Sequence, residues 1–210
     1  MKKISIRPEA LPYALACLVF GIITSFFWGP SALIFLVLLC FILFFFRDPQ
    51  RYTPTDKCLI VSPADGKILS IEHLDFHPVI QAAAIKVTIF LSLFDVHINR
   101  SPVNGTLKQA IYSRGKRFPA NWKRAGSKNE KNDLIIESRD FTLLVTQIAG
   151  ILGRRIVQWI DVGSPLAVGQ KIGMIKFSSR TEIVFPAGLN VLVKKGQKVK
   201  GGETVFCDIR

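Results

Sequence analysis

The sequence predicts a mainly β domain of sandwich or barrel type, preceded by a hydrophobic helical hairpin. Three observations predict it. Residues 11–46 contain no Asp, Glu, Lys, Arg or His, and half of the chain's 16 Phe lie there. After residue 47 come short segments rich in Val, Ile, Leu and Phe, bounded by Gly, Pro, Asn or Asp, with no long amphipathic helix among them. Near the C-terminus a Gly-rich pattern occurs twice. Composition agrees once it is divided by position. The 210-residue chain is 49% hydrophobic yet carries a formal charge of +13. Residues 1–46 hold only Lys2, Lys3, Arg7 and Glu9, so most of that charge belongs to the remainder. An apolar N-terminus joined to one basic domain of ordinary size excludes a polytopic transporter, a disordered polycation and a plain cytosolic enzyme.

The N-terminal element comes first. Residues 11–28 and 31–46 are apolar runs separated by Gly29-Pro30, a pair that breaks a helix. A helix the length of the second run rises roughly 24 Å, a little short of the ~30 Å hydrocarbon core. It reads as a hairpin of two short membrane helices or as a re-entrant, interfacial segment. Lys2, Lys3 and Arg7 precede it and Arg47 and Arg51 follow it, so both ends belong on the cytoplasmic face of the cell membrane. A cleaved signal peptide fits less well, because the stretch is too long and no Ala-x-Ala site ends it. The domains are therefore 1–46, an anchor, and 47–210, a basic domain.

That basic domain suits an anionic lipid surface, where each nearby Lys or Arg contributes on the order of 1 kcal/mol. Arg114, Lys116, Arg117, Lys123, Arg124, Lys128 and Lys131, with Phe118 and Trp122 interleaved, have the composition of a nucleic-acid patch or of a solvated loop. The nearby anchor favours lipid over nucleic acid. Cys17 and Cys40 lie in the apolar segment, and Cys58 and Cys207 are isolated. No spacing suggests a disulfide framework or a metal site.

Within the second domain, strands are expected over 58–62, 68–71, 85–93, 134–137, 142–149, 156–159, 171–177, 182–185, 190–193 and 204–208. Val168-Gly169-Gln170-Lys171-Ile172-Gly173 recurs as Lys195-Gly196-Gln197-Lys198-Val199-Lys200-Gly201, each copy a Gly turn followed by a short strand. This rhythm resembles barrel-sandwich hybrid folds, the lipoyl and biotinyl carrier architecture. No Met-Lys-Met is present, and Asp56-Lys57-Cys58 lies outside the repeat, so the carrier chemistry does not follow.

Three patches could carry chemistry. Ser62-Pro63-Ala64-Asp65-Gly66-Lys67 reads alone as a hairpin turn. The run from Phe90 to Pro102 places His97 at the end of a very apolar strand, where such a residue is as often a satisfied rim histidine. His73 and His77 are expected in a polar loop and are weaker candidates. Phe177-Ser178-Ser179-Arg180-Thr181-Glu182 puts a Ser pair between two strands, ordinarily a turn. Asp65, His97 and a Ser also invite a hydrolase triad, although no G-x-S-x-G elbow is present.

Taken together, the patches resemble a known set. The chain is similar to the short, membrane-associated phosphatidylserine decarboxylases of prokaryotes and their archaetidylserine-decarboxylating relatives. The resemblance rests on Phe46-Arg47-Asp48-Pro49, Ser62-Pro63-Ala64-Asp65-Gly66, the run from Phe94 to Pro102, Asn129-Glu130-Lys131-Asn132, Gln147-Ile148-Ala149-Gly150, Arg154-Arg155-Ile156-Val157 and the Ser178-Ser179-Arg180 patch. It implies a self-processing enzyme. Ser179 attacks the preceding carbonyl, an N→O acyl shift and β-elimination split the chain at 178/179, and a pyruvoyl group remains where Ser179 was. His97 takes the hydroxyl proton and Asp65 orients the His. The pyruvoyl ketone then condenses with the serine amine of a phospholipid and serves as electron sink as CO₂ departs, giving an ethanolamine lipid. The implied product is a heterodimer of the two cleavage chains, and edge strands leave room for a higher oligomer.

Two positions depart from the family pattern. Ser178 stands where Gly is usual, and Arg100 stands where longer relatives carry a second His, which gives His97 a double duty or Arg100 an anion-binding one. The rival readings are a membrane-tethered barrel-sandwich binding or adaptor domain that does not process itself, and a Ser hydrolase on Ser179, His97 and Asp65.

Overall fold

A computed structural model of the chain describes residues 4–54, 59–122, 124–151, 156–177 and 179–208. Among sequence features singled out above, Lys2, Lys3, Asp56, Lys57, Cys58, Lys123, Arg154, Arg155 and Ser178 lie outside the described residues. The chain divides into two compact units, Met1–Gln50 and Arg51–Arg210.

In the first unit β1 (Ile4–Ile6) leads through a 3₁₀ turn into α1 (Leu11–Ser25), followed by α2 (Ser31–Phe45) and β2 (Arg47–Pro49). Pro12 sits in the first turn of α1, where a missing N–H breaks no helical bond. Pro8–Ser25 is the one helical run among the described residues that is long and apolar enough to cross a membrane; α2 is shorter. The two helices approach closely at Gly21, where a Cβ would lie 3.0 Å from that of Phe35. The Ser31 hydroxyl donates to Thr24 Oγ1 at 2.9 Å across the turn. β1 and β2 pair antiparallel, Ile4 opposite Pro49, so both ends of the hairpin return to one side. This pairing carries the unit boundary past residue 46 to Gln50. Most of the hairpin's large apolar side chains, Phe26 and Phe27 above all, are exposed.

The second unit holds β3 (Leu59–Val61), β4 (Gly66–His77), β5 (Ala82–Leu91), β6 (Ile98–Arg100), β7 (Gly105–Ser113), the single turn α3 (Ala125–Lys128), β8 (Lys131–Glu137), β9 (Thr142–Ala149), β10 (Ile156–Gln158), β11 (Pro165–Leu166), β12 (Lys171–Ile175), β13 (Ser179–Pro186), β14 (Asn190–Val191), β15 (Lys198–Val199) and β16 (Val205–Asp208). Eight strands form one curled half-barrel sheet in the order β11-β7-β8-β9-β13-β5-β4-β15. Two three-stranded sheets, β10-β12-β6 and β14-β16-β3, complete the unit. Every pairing between these strands is antiparallel. The mainly β class with an N-terminal helical hairpin is what the sequence predicts.

The large sheet's inner face builds the main core, with Val87, Ile89, Leu134, Ile136, Val145, Ile183 and Phe185 among its members. Period-two alternation then places Thr181 and Ser179 on the same face as Ile183 and Phe185. Both repeat copies are turns of one construction. Gln170 N–H donates to Ala167 O at 3.0 Å and Gln197 N–H to Lys194 O at 3.1 Å. The two glutamine Oε1 atoms accept from Ala167 N–H and Lys194 N–H, and Gly169 and Gly196 supply positive φ at the third position.

Two expectations are corrected. His73 and His77 lie on β4, opposite Ile85 and Ala82, not in a loop. Register shifts between Ile68 and Ser70 and between Leu74 and His77 interrupt the alternation that would have marked the strand. The strand β7 is absent from the expected set. Its sequence reads as polar because among its residues only Leu107 is fully buried, and a register shift between Leu107 and Gln109 breaks its period.

Candidate active site

Ser179 opens β13 at the centre of the large sheet, opposite Leu91 of β5 and Ala149 of β9. It is fully buried, and its Oγ makes no hydrogen bond among the described residues. A buried hydroxyl without a partner sacrifices its hydration, which is unusual unless the group has other work. The connection from β12 to β13 is short: Lys176, Phe177 and Ser178. Phe177 has φ +59, a left-handed conformation that costs an L residue roughly 1–2 kcal/mol and is an outlier for a bulky side chain. Among the described residues of this connection the backbone strain falls on Phe177.

His97 is also fully buried. Its Nδ1 lies 3.0 Å from the Asp95 carbonyl. A carbonyl can only accept, so Nδ1 carries the proton and Nε2 is the basic nitrogen of the neutral ring. Asp95 is itself fixed, its Oδ2 accepting from Ser92 N–H at 2.8 Å and from Ser92 Oγ at 2.7 Å. The His97 carbonyl accepts from the N–H of Ile175, the last residue of β12, at 3.2 Å. His97 is thereby fastened to the strand that feeds the Ser178-Ser179 connection.

A buried polar network links the strands that follow His97 and Ser179. Asn99, two residues after His97, donates to Thr181 Oγ1 at 2.9 Å, and Thr181 lies two residues after Ser179. Asn99 Oδ1 accepts from Gln147 Nε2 at 2.8 Å. Gln147 Oε1 accepts from Asn132 at 3.2 Å, and Asn132 also donates to Gln158 at 3.0 Å. Gly173 makes the approach possible, since a Cβ there would lie 2.4 Å from the Val157 carbonyl and 3.1 Å from Gln147 Nε2. Asn129 braces the strand beside Ser179, donating to the Ala149 carbonyl at 2.8 Å.

Asp65 is held on both sides: its Oδ2 pairs with Arg51 Nη2 at 2.5 Å and its Oδ1 accepts from Gly201 N–H at 2.8 Å. Burial pushes its carboxyl above the ordinary range, against the opposing pull of Arg51 and the Gly201 N–H. The segment before it supports β6, with Pro63 O accepting from Arg100 N–H at 2.9 Å and from Asn99 Nδ2 at 3.4 Å. Arg100 is buried, and its Nη1 donates to the Gly169 carbonyl at 2.9 Å. Burial raises the Cys207 thiol to about 12, which makes it inert.

Sequence reasoning assigned no role to Asn99, Thr181, Gln147, Asn132 or Gln158. The signal available was a polar side chain within a buried strand, most clearly Gln147 within Thr142–Ala149 and Asn99 after Ile98.

The comparisons with known proteins converge on one group. A family model described as phosphatidylserine decarboxylase matches residues 38–207. The chain is also 44% identical over 193 residues to the phosphatidylserine decarboxylase proenzyme of Carboxydothermus hydrogenoformans, an alignment covering 91% of this chain and 89% of that protein. The matched span takes in Asp65, His97, the buried amide network and Ser179, and the chain belongs to the phosphatidylserine decarboxylase family.

Proposed function

We propose that this chain removes CO₂ from the serine headgroup of a phospholipid by means of a pyruvoyl group made from its own Ser179, at the cytoplasmic face of the membrane. The observation that carries the proposal is the fully buried Ser179 Oγ, unpartnered among the described residues, one position beyond Ser178 and two beyond the left-handed Phe177. The site fits the group: a fully buried serine at the end of an apolar face, between Leu91 and Ala149, is shielded from water. The pyruvoyl ketone supplies the electron sink for the bond that breaks as CO₂ leaves.

The chain's own residues carry the remaining roles. In self-cleavage the Ser179 Oγ bonds to the Ser178 carbonyl carbon as the peptide nitrogen leaves, the hydroxyl proton passing to that nitrogen by way of His97 Nε2. Loss of the Ser179 Cα proton then expels the Ser178 carboxylate and splits the chain, and water converts the remaining dehydroalanine to the ketone with release of ammonia. The Asp95 carbonyl keeps the His97 proton on Nδ1 throughout. Asp65 is a positioning residue in this scheme, tying the Gly201 turn and Arg51 to the segment that holds β6. After cleavage the chain of residues 179–210 stays bound to the larger one, because β13 lies between β5 and β9 and β16 pairs with β3. An apolar N-terminal hairpin flanked by Lys2, Lys3, Arg7 and Arg47 supports the membrane location and its cytoplasmic side.

Denaturing electrophoresis and mass spectrometry of the purified protein test the proposal. A C-terminal fragment beginning at position 179 with a blocked, pyruvoyl N-terminus is expected, and Ser179→Ala abolishes both splitting and CO₂ release. An intact 23.5 kDa wild-type chain favours a membrane-tethered binding domain instead. Splitting that persists in Ser179→Ala shifts the attacking role to Ser178.

A further inference from the structure

One row of the large sheet leads away from Ser179 to a polar cavity. Ser179 is paired with Ala149, and the Ala149 N–H donates to the Glu130 carbonyl at 2.9 Å. The next residue, Lys131, pairs with Ser113, which places Arg114 at the far end of the same row. Cross-strand neighbours share a face, so Ser179, Glu130 and Arg114 lie on one side of the sheet. Glu130 is two strand spacings from Ser179 and Arg114 three, about 10 and 14 Å. Here Tyr112, Arg114, Gly115, Arg117 and Glu130 line a cavity of about 320 Å³. Its charge is two guanidinium groups against one carboxylate. Glu130 Oε1 is buried and has no hydrogen-bond partner among the described residues.

We infer that this cavity holds the polar headgroup of the lipid substrate, with the phosphodiester on Arg114 and Arg117 and Glu130 facing the serine amine. The inference rests on the decarboxylase reading and extends it to how the substrate is held. The order along the row matches the order along the headgroup: reacting amine nearest Ser179, phosphodiester farthest out, a short carbon linker between. Guanidinium forks suit a phosphodiester, which accepts charge-assisted bonds at two oxygens. The placement also makes chemical sense for the reaction. Arginines spent on the carboxylate would stabilise the charge that must be lost, whereas arginines on the phosphodiester bind ground state and transition state alike.

The test uses the full chain with phosphatidylserine diluted to a low, fixed mole fraction in neutral-detergent mixed micelles, which keeps the anionic surface charge small and constant. Arg114→Ala and Arg117→Ala should split as completely as wild type. KM should rise about tenfold for one and about a hundredfold for both, with kcat little changed. Arg114→Lys should recover part of the loss. Glycerophosphoserine should compete in wild type far better than inorganic phosphate, and lose that advantage in the double variant. Equal competition by both compounds overturns the inference in favour of a free-anion site. Unchanged KM with weakened pelleting on anionic vesicles overturns it in favour of a surface patch. A wild-type chain that neither splits nor releases CO₂ overturns the decarboxylase reading and this inference with it, whereas an active wild type with unaffected variants overturns this one alone.

Discussion

The left-handed Phe177 makes a quantitative prediction about self-cleavage. Its φ of +59 stands in a three-residue connection whose far end, Ser179, is locked into the large sheet. The conformation costs about 1–2 kcal/mol, because Cβ crowds the following carbonyl. In the proposed reaction the chain sustains that strain until the bond between residues 178 and 179 is cut. If the strain is released as the serine attacks, removing it beforehand raises the barrier by the same amount and slows cleavage about 5- to 30-fold. Two substitutions separate strain from the loss of the ring. Phe177→Ala keeps Cβ and loses the phenyl group, whereas Phe177→Gly loses both. The time course of chain splitting on denaturing gels should show the Gly variant slower than the Ala variant by that factor. In a Ser179→Ala background, which removes the attacking hydroxyl, denaturant unfolding should show the Gly variant the more stable of the two by up to about 1 kcal/mol. That figure is the relieved strain less the entropy that glycine loses on folding. Equal splitting rates for the Gly and Ala variants would refute the idea that strain at Phe177 drives the reaction.

Two further outcomes follow from the polar interior. Asn99→Leu leaves Gln147 Nε2 without its 2.8 Å acceptor and Thr181 Oγ1 without its 2.9 Å donor. Each buried orphan costs about 1–3 kcal/mol, so unfolding should register a loss of about 2–6 kcal/mol, with slower splitting at permissive temperature. Arg51→Met removes the partner of Asp65 at 2.5 Å and of Glu203 at 3.3 Å, and should destabilise the chain by about 3 kcal/mol at neutral pH. The sign of its pH dependence is fixed by Asp65. That carboxyl is already raised by burial, so its proton is held more tightly folded than unfolded, and its contribution to stability is present at low pH and lost as pH rises through the raised value. Without Arg51 the carboxyl rises further, so the deficit of Arg51→Met in denaturant melts should shrink on acidification and grow toward neutrality.

The parts of the fold that sequence reveals are those whose burial is uniform. Thr142–Ala149 is buried along nearly its whole length and reads as an apolar run with its bounds intact. The hairpin reads equally well, since its helices need no polar face. What escapes is periodicity interrupted by bulges, as in β4 and β7, and polarity that faces inward. Asn99, Gln147 and Asn132 look like ordinary strand or turn residues until three chain segments converge and satisfy their amides. Asp65 illustrates the same limit. Residue types suggest pairing it with His97 but give no sign of its long-range contacts with Arg51 and Gly201. Nor do they show the main-chain carbonyl of Asp95 at the His97 ring, since a carbonyl leaves no trace in residue identity.

The proposed chemistry asks two opposite things of the chain around one bond, and the structure separates them on either side of it. Cleavage needs a carbonyl that can be attacked, which is easier where the backbone is already bent away from its minimum. Turnover needs the new reactive carbon to stay in place after its covalent tie is gone. Upstream of the bond lies a short connection with the left-handed Phe177. Downstream, Ser179 begins a strand paired along its whole length with β5 and from Ser179 to Val184 with β9, its third residue held by Asn99. Relaxation after cutting therefore falls on the upstream side, while position 179 keeps its register to Ala149 and, along the same row, to Glu130 and Arg114. A strand at the sheet's edge could not do this. Having lost its tie it would keep only one neighbour, and the reactive position would drift from the residues that present the substrate to it.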